Sequence, residues 1–374
     1  MPSNAAPPSL PPVADSKIQL RGCRVVRDGR VVLDIPELDV PKGHTTALIG
    51  PNGAGKSTLL RMLQLLIRPE RGELLLDGVP MQRDPIATRR RMATAFQEPL
   101  LLSMSVRANV ELGLRLRRLP RAQRRARARH WLDRFGVGHL ADRHAHDVSG
   151  GEAQRVSLAR AFALNPEVLL LDEPFAALDA PTRSDLIEDF ASVLAESRPT
   201  TVLVTHDRDE ARRLGDGIVV LIDGRLRQRG SPAEVFGAPA DAEVAAFVGV
   251  ENVWAASLER SSAGIATYRV AGQLVDVASA SPPAAALVCV RPEAITLFPP
   301  AAAVPGSARN CLPARIDAIN LVGPVLRIQL HLGHSEDTTA VATVTPASVE
   351  ALGLRVGSAV SAVFKATAAH LIPR

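Results

Sequence analysis

Short apolar runs of strand length recur along the first two thirds of the chain. They cover residues 46–49, 168–171, 201–204 and 218–222. Strands with so little polar interruption are typical of a parallel sheet that is covered on both faces. Between the runs, apolar residues recur at helical spacing, as in residues 182–195. This alternation of strands and helices predicts an α/β layered domain.

Two other patterns flank these runs. Residues 17–40 alternate as antiparallel strands do, and the turn Asp28-Gly29-Arg30 divides them into a hairpin. Residues 74–76 and 92–96 are predicted short strands. Residues 106–116 and 122–135 are predicted helices, and arginine is dense around their junction at Pro120. A solvated helical face is the favoured interpretation of that arginine run, and contact with an acidic surface or with lipid headgroups is the alternative.

The pattern changes after Val250, where small residues, valine and proline dominate. Short strand-like runs are separated there by glycine and proline, which favours a small all-β barrel. The runs cover residues 268–270, 287–290, 315–319, 325–330, 340–344 and 359–364. The predicted organisation is a disordered tail at 1–15, an α/β domain at 16–240 with a helical subdomain at about 98–160, and a barrel domain at 241–374.

Composition narrows the function classes. A chain of 374 residues with 46% hydrophobic content is long enough for two packed domains, and 3% aromatic content makes their cores aliphatic. The net charge of +5 is largely arginine in one local run without interleaved aromatics, so we expect no nucleic-acid partner. Cys23, Cys289 and Cys311 lack metal or disulfide spacing, which favours a reduced, cytoplasmic protein. The sequence shows neither a signal peptide nor an apolar run near the ~20 residues of a membrane span.

A glycine-rich stretch follows the run at 46–49 and precedes apolar residues at helical spacing up to Ile67. Strand, loop and helix in this order are the context that a P-loop requires. The loop's N–H groups can cradle phosphate oxygens, while Lys56 reaches the β- and γ-phosphates and Ser57 ligates Mg²⁺. The sequence therefore predicts a nucleoside triphosphate site. Its residues are Gly50, Pro51, Asn52, Gly53, Ala54, Gly55, Lys56, Ser57 and Thr58.

Four polar side chains follow other predicted strands. Asp172 and Glu173 end the run at 168–171, Gln97 follows residues 92–96, and His206 follows residues 201–204. Because ligands in parallel sheets bind at the carboxyl ends of the strands, we expect these side chains at the same site. Asp172 and Gln97 suit Mg²⁺, Glu173 suits a general base and His206 suits a γ-phosphate contact. Each taken alone has an ordinary structural interpretation.

Ser149, Gly150, Gly151 and Glu152 precede another helical segment. A serine and two glycines at a helix N-terminus make a possible anion site. An ordinary N-cap by Ser149 explains the same residues equally well.

Together these residues resemble the ATP-binding cassette (ABC) ATPase family over residues 17–235. The matching motifs are Gly50 to Thr58 (Walker A), Gln97 (Q-loop), Val148 to Glu152 (signature), Leu169 to Glu173 (Walker B), Ala177 to Asp179 (D-loop) and His206 (switch histidine). The resemblance implies ATP and Mg²⁺ as cofactors, ATP hydrolysis, and Asp179 at the nucleotide. It also implies a head-to-tail homodimer in which Ser149 to Glu152 close the partner's site, and a permease that docks near Gln97.

One position departs from the family pattern. The family usually stacks adenine on an aromatic residue just before the turn at Asp28. Here Val25, Val26 and Arg27 stand there, so only Val26 packing or Arg27 stacking is available. We therefore expect a weak preference for adenine.

Residues after 247 resemble the C-terminal extension of importer ATPases, including one molybdate-binding-like (TOBE) repeat from about Asn310. In such repeats hydroxyl, amide and ammonium groups bind oxyanions, which makes Ser348 and Lys365 candidates for an oxyanion ligand. A helix cap and a solvated strand end are the favoured structural interpretations of these two residues.

The resemblance implies an importer ATPase subunit that works with a membrane permease and a solute-binding protein. It would be peripheral, at the cytoplasmic face of the inner (plasma) membrane. The leading solute is an oxyanion such as molybdate or tungstate, while sulfate, ferric iron, polyamine and sugar importers share the architecture. A soluble ABC ATPase without a permease and an oxyanion-storage or sensing protein are the alternatives from other classes.

Overall fold

The computed structural model describes residues 15–300, 306–333 and 338–374, which divide into two compact units. The first unit ends at Pro232, and the second spans Ala233–Arg374. Except for Asp15, the predicted tail lies outside the described residues. The predicted domain border at 240/241 and the limits of the helical subdomain stay predictions.

One mixed sheet runs through the first unit. Its strands lie in the order β5-β4-β1-β2-β10-β9-β3-β8-β7-β6. They are β1 (Ser16–Arg27), β2 (Arg30–Pro41), β3 (Thr45–Ile49), β4 (Arg71–Leu76), β5 (Val79–Pro80), β6 (Met92–Ala95), β7 (Val168–Asp172), β8 (Thr200–Val204), β9 (Gly217–Ile222) and β10 (Arg225–Gly230).

The strands β9, β3, β8, β7 and β6 pair in parallel. Every residue of β3 and β8 is buried, as expected for strands covered on both faces. The strands β2, β1, β4 and β5 extend the sheet with antiparallel pairing. The α/β prediction is confirmed, and the parallel strands place their carboxyl ends along one edge.

The helices of the first unit connect these strands. They are α1 (Lys56–Leu63), α2 (Pro85–Arg90), α3 (Val106–Leu116), α4 (Arg121–Arg134), α5 (Gly150–Ala163), α6 (Ala180–Ser197) and α7 (Arg208–Leu214). Short 3₁₀ turns lie at Gly138–Leu140 and Ala145–Asp147. The helices α3, α4 and α5 share an apolar cluster with α6 and β7, in which Val110, Leu132, Phe162 and Phe190 are fully or almost fully buried.

Helix α1 is shorter than its apolar periodicity predicts. It ends at Leu63, and Leu65 adopts a left-handed backbone with φ of 58°. A left-handed residue cannot continue a right-handed helix, so Leu66 leaves the helical face and is 60% exposed. The predicted continuation of this helix to Ile67 is therefore wrong.

The second unit is largely β-structure, which confirms the all-β prediction. After α8 (Pro232–Gly237), whose first residue ends the first unit, and α9 (Ala242–Val248), the chain forms two antiparallel sheets in the orders β13-β12-β11-β14-β20 and β15-β19-β16-β17-β18. The strands are β11 (Asn252–Ser262), β12 (Ile265–Val270), β13 (Gln273–Ala278), β14 (Ala285–Val290), β15 (Thr296–Phe298), β16 (Asn310–Val322), β17 (Val325–Leu332), β18 (Thr339–Val344), β19 (Ala359–Phe364) and β20 (Ala369–Pro373).

Both sheets contribute to one apolar cluster that includes Trp254, Tyr268, Ile316, Leu330 and Phe364. Helix α10 (Pro346–Ala351) and 3₁₀ turns at Pro292–Ala294 and Ala366–Ala368 complete this unit. Among the helices of the described residues, none is long and apolar enough to cross a membrane.

Candidate nucleotide site

The glycine-rich loop joins β3 to α1 in very close contact with neighbouring backbone. A Cβ atom at Gly50 would lie 2.0 Å from the carbonyl oxygen of Leu221 in β9. A Cβ atom at Gly55 would lie 2.9 Å from the carbonyl oxygen of Val32, and Gly55 has a φ of 99°. The loop can be this tight only without side chains at Gly50 and Gly55, and it leads directly into the N-terminus of α1, where a phosphate can bind.

Lys56, the first residue of α1, is buried inside this loop. Its ammonium donates to the carbonyl oxygens of Gly50 and Pro51 at 2.7 and 3.0 Å. Burial lowers the pKa of Lys56, and the nearby carboxylates of Glu173 and Asp172 oppose that shift. The cation therefore sits where its charge is only partly compensated, as a phosphate-binding lysine should.

Ser57 and Asp172 meet across the site. The Ser57 hydroxyl lies close enough to the Asp172 carboxylate at the end of β7 to act on it electrostatically. Burial raises the pKa of Asp172, and Glu173 raises it further, whereas Arg61, Lys56 and the Ser57 hydroxyl lower it. A neighbouring hydroxyl and carboxylate are hard oxygen ligands of the kind that Mg²⁺ prefers, so these residues fit the predicted metal.

Glu173 and His206 form a second contact at the same edge. The Nδ1 atom of His206 lies 3.0 Å from Oε2 of Glu173, so the Nδ1–H tautomer donates to the carboxylate. Glu173 has a left-handed φ of 46°, and its N–H donates to the carbonyl of Val204 at 2.9 Å. The side chain of His206 is 56% exposed and that of Glu173 is 20% exposed. The carboxylate of the pair is therefore sheltered from solvent, whereas the imidazole ring is accessible.

Gln97 lies two residues beyond the end of β6, the strand that pairs with β7. Its side chain is exposed at the same edge as Asp172. The structure thus brings Lys56, Ser57, Asp172, Glu173 and His206 into a connected set, and places Gln97 just after the adjoining strand β6.

Ser149 and Glu152 form a complete capping box at the start of α5. The Ser149 hydroxyl accepts from the Glu152 N–H at 3.3 Å, and the Glu152 carboxylate accepts from the Ser149 N–H at 2.7 Å and its hydroxyl at 2.9 Å. These bonds hold the pKa of Glu152 below its usual value. The N-cap interpretation thus describes the geometry, and an anion at Ser149 would compete with the Glu152 carboxylate.

The signature glycines lie beside the D-loop of the same chain. A Cβ atom at Gly151 would lie 2.9 Å from the Thr182 side chain in α6. Asp179 caps α6 by accepting from the N–H and hydroxyl of Thr182 at 3.0 and 3.1 Å. Gly151 and Asp179 therefore both neighbour Thr182 in the first turn of α6.

The three candidates for contact with adenine differ in exposure. Val25 is 4% exposed and belongs to the core, so it faces away from solvent. Val26 is half-buried and Arg27 is exposed, at an irregularity in the β1–β2 pairing. The hairpin then turns through Asp28 and Gly29, both left-handed.

Ser348 and Lys365 of the second unit take structural positions. Ser348 donates its N–H to the hydroxyl of Thr345, the N-cap of α10, at 3.2 Å. Lys365 is exposed and precedes the 3₁₀ turn at Ala366–Ala368. The solvated strand end matches the structural interpretation of Lys365, whereas the N-cap of α10 is Thr345 and Ser348 lies within the first turn of that helix.

Several polar residues around this edge were not predicted from the sequence. Arg61 lies one helical turn after Ser57 and acts electrostatically on Asp172. Its i,i+4 spacing from Ser57 was a usable signal. Four further polar residues lie around the loop of His206, and no local sequence pattern indicates them. They are Arg183, Thr205, Asp207 and Glu210.

Comparison with known proteins shows which family the chain belongs to. The ABC transporter family profile matches residues 33–176, and the TOBE domain profile matches residues 306–371. The molybdate/tungstate import ATP-binding protein WtpC of Pyrococcus horikoshii is 37% identical over 337 residues, which cover 90% of this chain and 94% of that protein. This chain belongs to the ABC transporter family. Its members hydrolyse ATP, and the chain is accordingly an ATPase.

Other relatives match a smaller share of the chain. The sulfate/thiosulfate import ATP-binding protein CysA of Thermosynechococcus vestitus is 42% identical over 233 residues, covering 62% of this chain and 69% of that protein. CbiO1 of Clostridium perfringens, part of the transporter complex CbiONQ, is 31% identical with a TM-score of 0.56, over 63% of this chain and 96% of CbiO1. The dimeric cassette MJ0796 bound to ADP and phosphate is 29% identical with a TM-score of 0.52, over 57% of this chain and 98% of that one.

Proposed function

We propose that this chain is the ATP-hydrolysing subunit of an importer whose solute is an oxyanion of the molybdate/tungstate type. The observation that carries the proposal is the connected set Lys56, Ser57, Asp172, Glu173 and His206 at the carboxyl edge of the parallel strands. The permease would be a separate membrane subunit served by a solute-binding protein, with this ATPase at the cytoplasmic face.

The roles follow from the contacts. The Gly50–Gly55 loop and Lys56 bind the phosphates of ATP. Ser57 and Asp172, with Gln97 from β6, hold Mg²⁺, which supplies charge neutralisation at the phosphates when bound. Glu173 accepts a proton from the attacking water, because it is the sheltered carboxylate nearest to Asp172. His206 hydrogen-bonds the γ-phosphate and keeps Glu173 in place.

A second copy of the chain would complete the site. Within one chain, Gly151 faces α6, so Ser149, Gly150 and Gly151 are proposed to close the nucleotide site of a partner subunit. The MJ0796 cassette is a dimer in its ADP- and phosphate-bound structure, which supports this arrangement. Asp179, on the same face, would approach the partner's nucleotide.

The permease is proposed to dock beside Gln97. Leu100 and Leu102 follow Gln97 closely and are 56% and 47% exposed, and Leu100 has a left-handed φ of 46°. Large exposed apolar side chains in a strained loop suit a surface that is covered by another subunit. Movement of this segment when the permease docks would change the position of Gln97 and thereby its contact with Mg²⁺.

The choice of solute rests on the second unit. WtpC matches 90% of this chain, whereas CysA matches 62%. Similarity that extends through the TOBE region favours molybdate or tungstate over sulfate, which is the second candidate. Ser348 and Lys365 are the residues of this region to test for oxyanion binding.

The test is steady-state ATP hydrolysis by the full chain and by its Glu173→Gln variant. Loss of a general base should lower kcat by about 10²–10⁴-fold while ATP binding persists. Sizing chromatography with ATP and Mg²⁺ should then show a trapped dimer of the variant. Equal rates of ATP hydrolysis in the two proteins would contradict the role of Glu173. The wild-type rate is also measured with molybdate and with sulfate. A change in that rate with sulfate but not with molybdate would favour sulfate, the second candidate, as the solute.

A further inference from the structure

The loop that carries His206 is anchored by a buried polar pair. Thr205 and Glu210 are 1% and 3% exposed, and the Thr205 hydroxyl donates to Oε2 of Glu210 at 2.5 Å. The same hydroxyl accepts from the N–H of Asp207 at 3.0 Å. Two neighbours of His206 are thereby fixed to the first turn of α7, while the His206 ring itself stays accessible.

Asp207 uses its two carboxylate oxygens for different partners. Oδ1 accepts from the N–H groups of Asp209 and Glu210 at 2.8 and 3.1 Å, which caps α7. Oδ2 accepts from Nη1 of Arg183 at 3.3 Å. The cap alone would hold α7, so the bond to Arg183 adds a link from this loop to another helix.

Arg183 joins that loop to the D-loop turn. It lies in the first turn of α6, and its Nη2 donates to the carbonyl of Leu178 at 3.1 Å while Nη1 donates to Asp207. Its side chain is 32% exposed. A planar guanidinium presents two donors at fixed spacing, which a lysine ammonium does not, so the bridge depends on arginine geometry as well as on charge.

We propose that Arg183 is a positioning residue for ATP hydrolysis, which ties the D-loop turn at 177–179 to the loop of His206. Through Asp207 it fixes the His206 ring against Glu173, so that a change at the D-loop is passed to the catalytic pair. The inference rests on the proposed roles of Glu173 and His206. It assigns a function to a bridge that could otherwise serve stability alone.

The first test compares Arg183→Met with a matched control, Arg134→Met, in the full chain. Arg134 also bridges to α6, donating to Ser192 and Glu196 at 2.8 Å, but far along the helix from the D-loop. Arg183→Met should lower kcat by about 10–100-fold with KM for ATP within about twofold, because displacement of a catalytic group by ~1 Å costs up to about 10²-fold. Arg134→Met should leave kcat unchanged. Equal kcat values for wild type and Arg183→Met would overturn the proposal.

A double-mutant cycle separates positioning from stability. If Arg183 acts through His206, then adding Arg183→Met to His206→Ala should cost less than about twofold beyond His206→Ala alone. Independent, multiplicative losses would contradict the coupling. Arg183→Lys keeps the charge but not the planar guanidinium, so it should retain only part of the wild-type kcat. This variant replaces Arg183→Met in the test if Arg183→Met does not fold. A wild-type kcat in Arg183→Lys would also contradict the proposed role of the bridge.

The proposed function can fail separately. If His206→Ala and Glu173→Gln hydrolyse ATP as the wild type does, the roles assigned to that pair are wrong. If those variants lose activity while Arg183→Met does not, only the positioning role of Arg183 fails.

Discussion

The two ends of strand β7 carry carboxylates in opposite electrostatic settings. Just before the strand, Glu167 accepts from Nε of Arg91 at 2.8 Å and from the Lys17 ammonium at 2.5 Å, and these bonds lower its pKa to about 2. At the other end, burial and the neighbouring Glu173 raise the pKa of Asp172. Glu167 is thus paired with positively charged side chains, whereas the negative charge of Asp172 is only partly compensated.

The same contrast holds for the whole edges of the parallel strands. At the amino edge, Arg91 and Lys17 also pair with Asp77, whose pKa is lowered, so two cations and two anions balance. At the carboxyl edge, Lys56 has a lowered pKa while Asp172 has a raised one. Groups whose pKa values are shifted towards their uncharged forms are typical of ligand sites, which assigns ligand binding to the carboxyl edge. The balanced ion pairs of the amino edge stabilise the fold.

The largest expected effect on kcat/KM comes from replacing Lys56, the lysine of the glycine-rich loop that follows β3. Lys56→Ala should lower kcat/KM for ATP by about 10²–10³-fold, because a preorganised donor to the phosphates is lost. Lys42→Ala, in the exposed turn before the same strand, should leave kcat/KM unchanged. Steady-state ATPase assays and titration with a fluorescent ATP analogue measure both variants. Similar losses of kcat/KM in Lys56→Ala and Lys42→Ala would contradict the different roles assigned to the carboxyl and amino edges.

Much of this site follows from sequence because it rests on local motifs and one topological rule. The P-loop is contiguous, so Gly50 to Thr58 needed only a strand before them and a helix after them. Asp172, Glu173 and His206 each follow an apolar run, and parallel strands bring such ends together. The hairpin at Asp28-Gly29 was equally predictable, because that dipeptide favours a two-residue turn.

Other features could not be predicted from local pattern. The Lys17–Glu167 pair joins residues 150 positions apart, and Arg183 meets Asp207 between two helices. Such contacts depend on side-chain packing after the sheet has formed. Helix α1 ends at Leu63, before a left-handed Leu65, although Leu66 and Ile67 continue the apolar spacing. The order of the antiparallel strands beside the parallel ones also has no signal in the hydrophobic pattern.

The smallest expected effect concerns stability at low pH. The pKa of Glu167 is lowered from 4.5 to about 2, so its pairing stabilises the fold above about pH 4.5 and is lost as pH falls towards 2. Glu167→Gln should therefore unfold at a lower urea concentration than wild type at pH 7, and the gap should narrow by pH 3. A gap that stays constant between these pH values would show that the ionised pair does not contribute.

The most direct measurement of the central claim removes one carboxylate from each end of β7. Mg²⁺-dependent ATP hydrolysis is compared among wild type, Asp172→Asn and Glu167→Gln, all as full chains whose folding is checked by circular dichroism. We predict that Asp172→Asn loses about 100-fold or more in kcat, because the metal loses its carboxylate, whereas Glu167→Gln keeps the wild-type rate. Wild-type activity in Asp172→Asn, or an equal loss in both variants, would contradict the assignment of chemistry to the carboxyl edge.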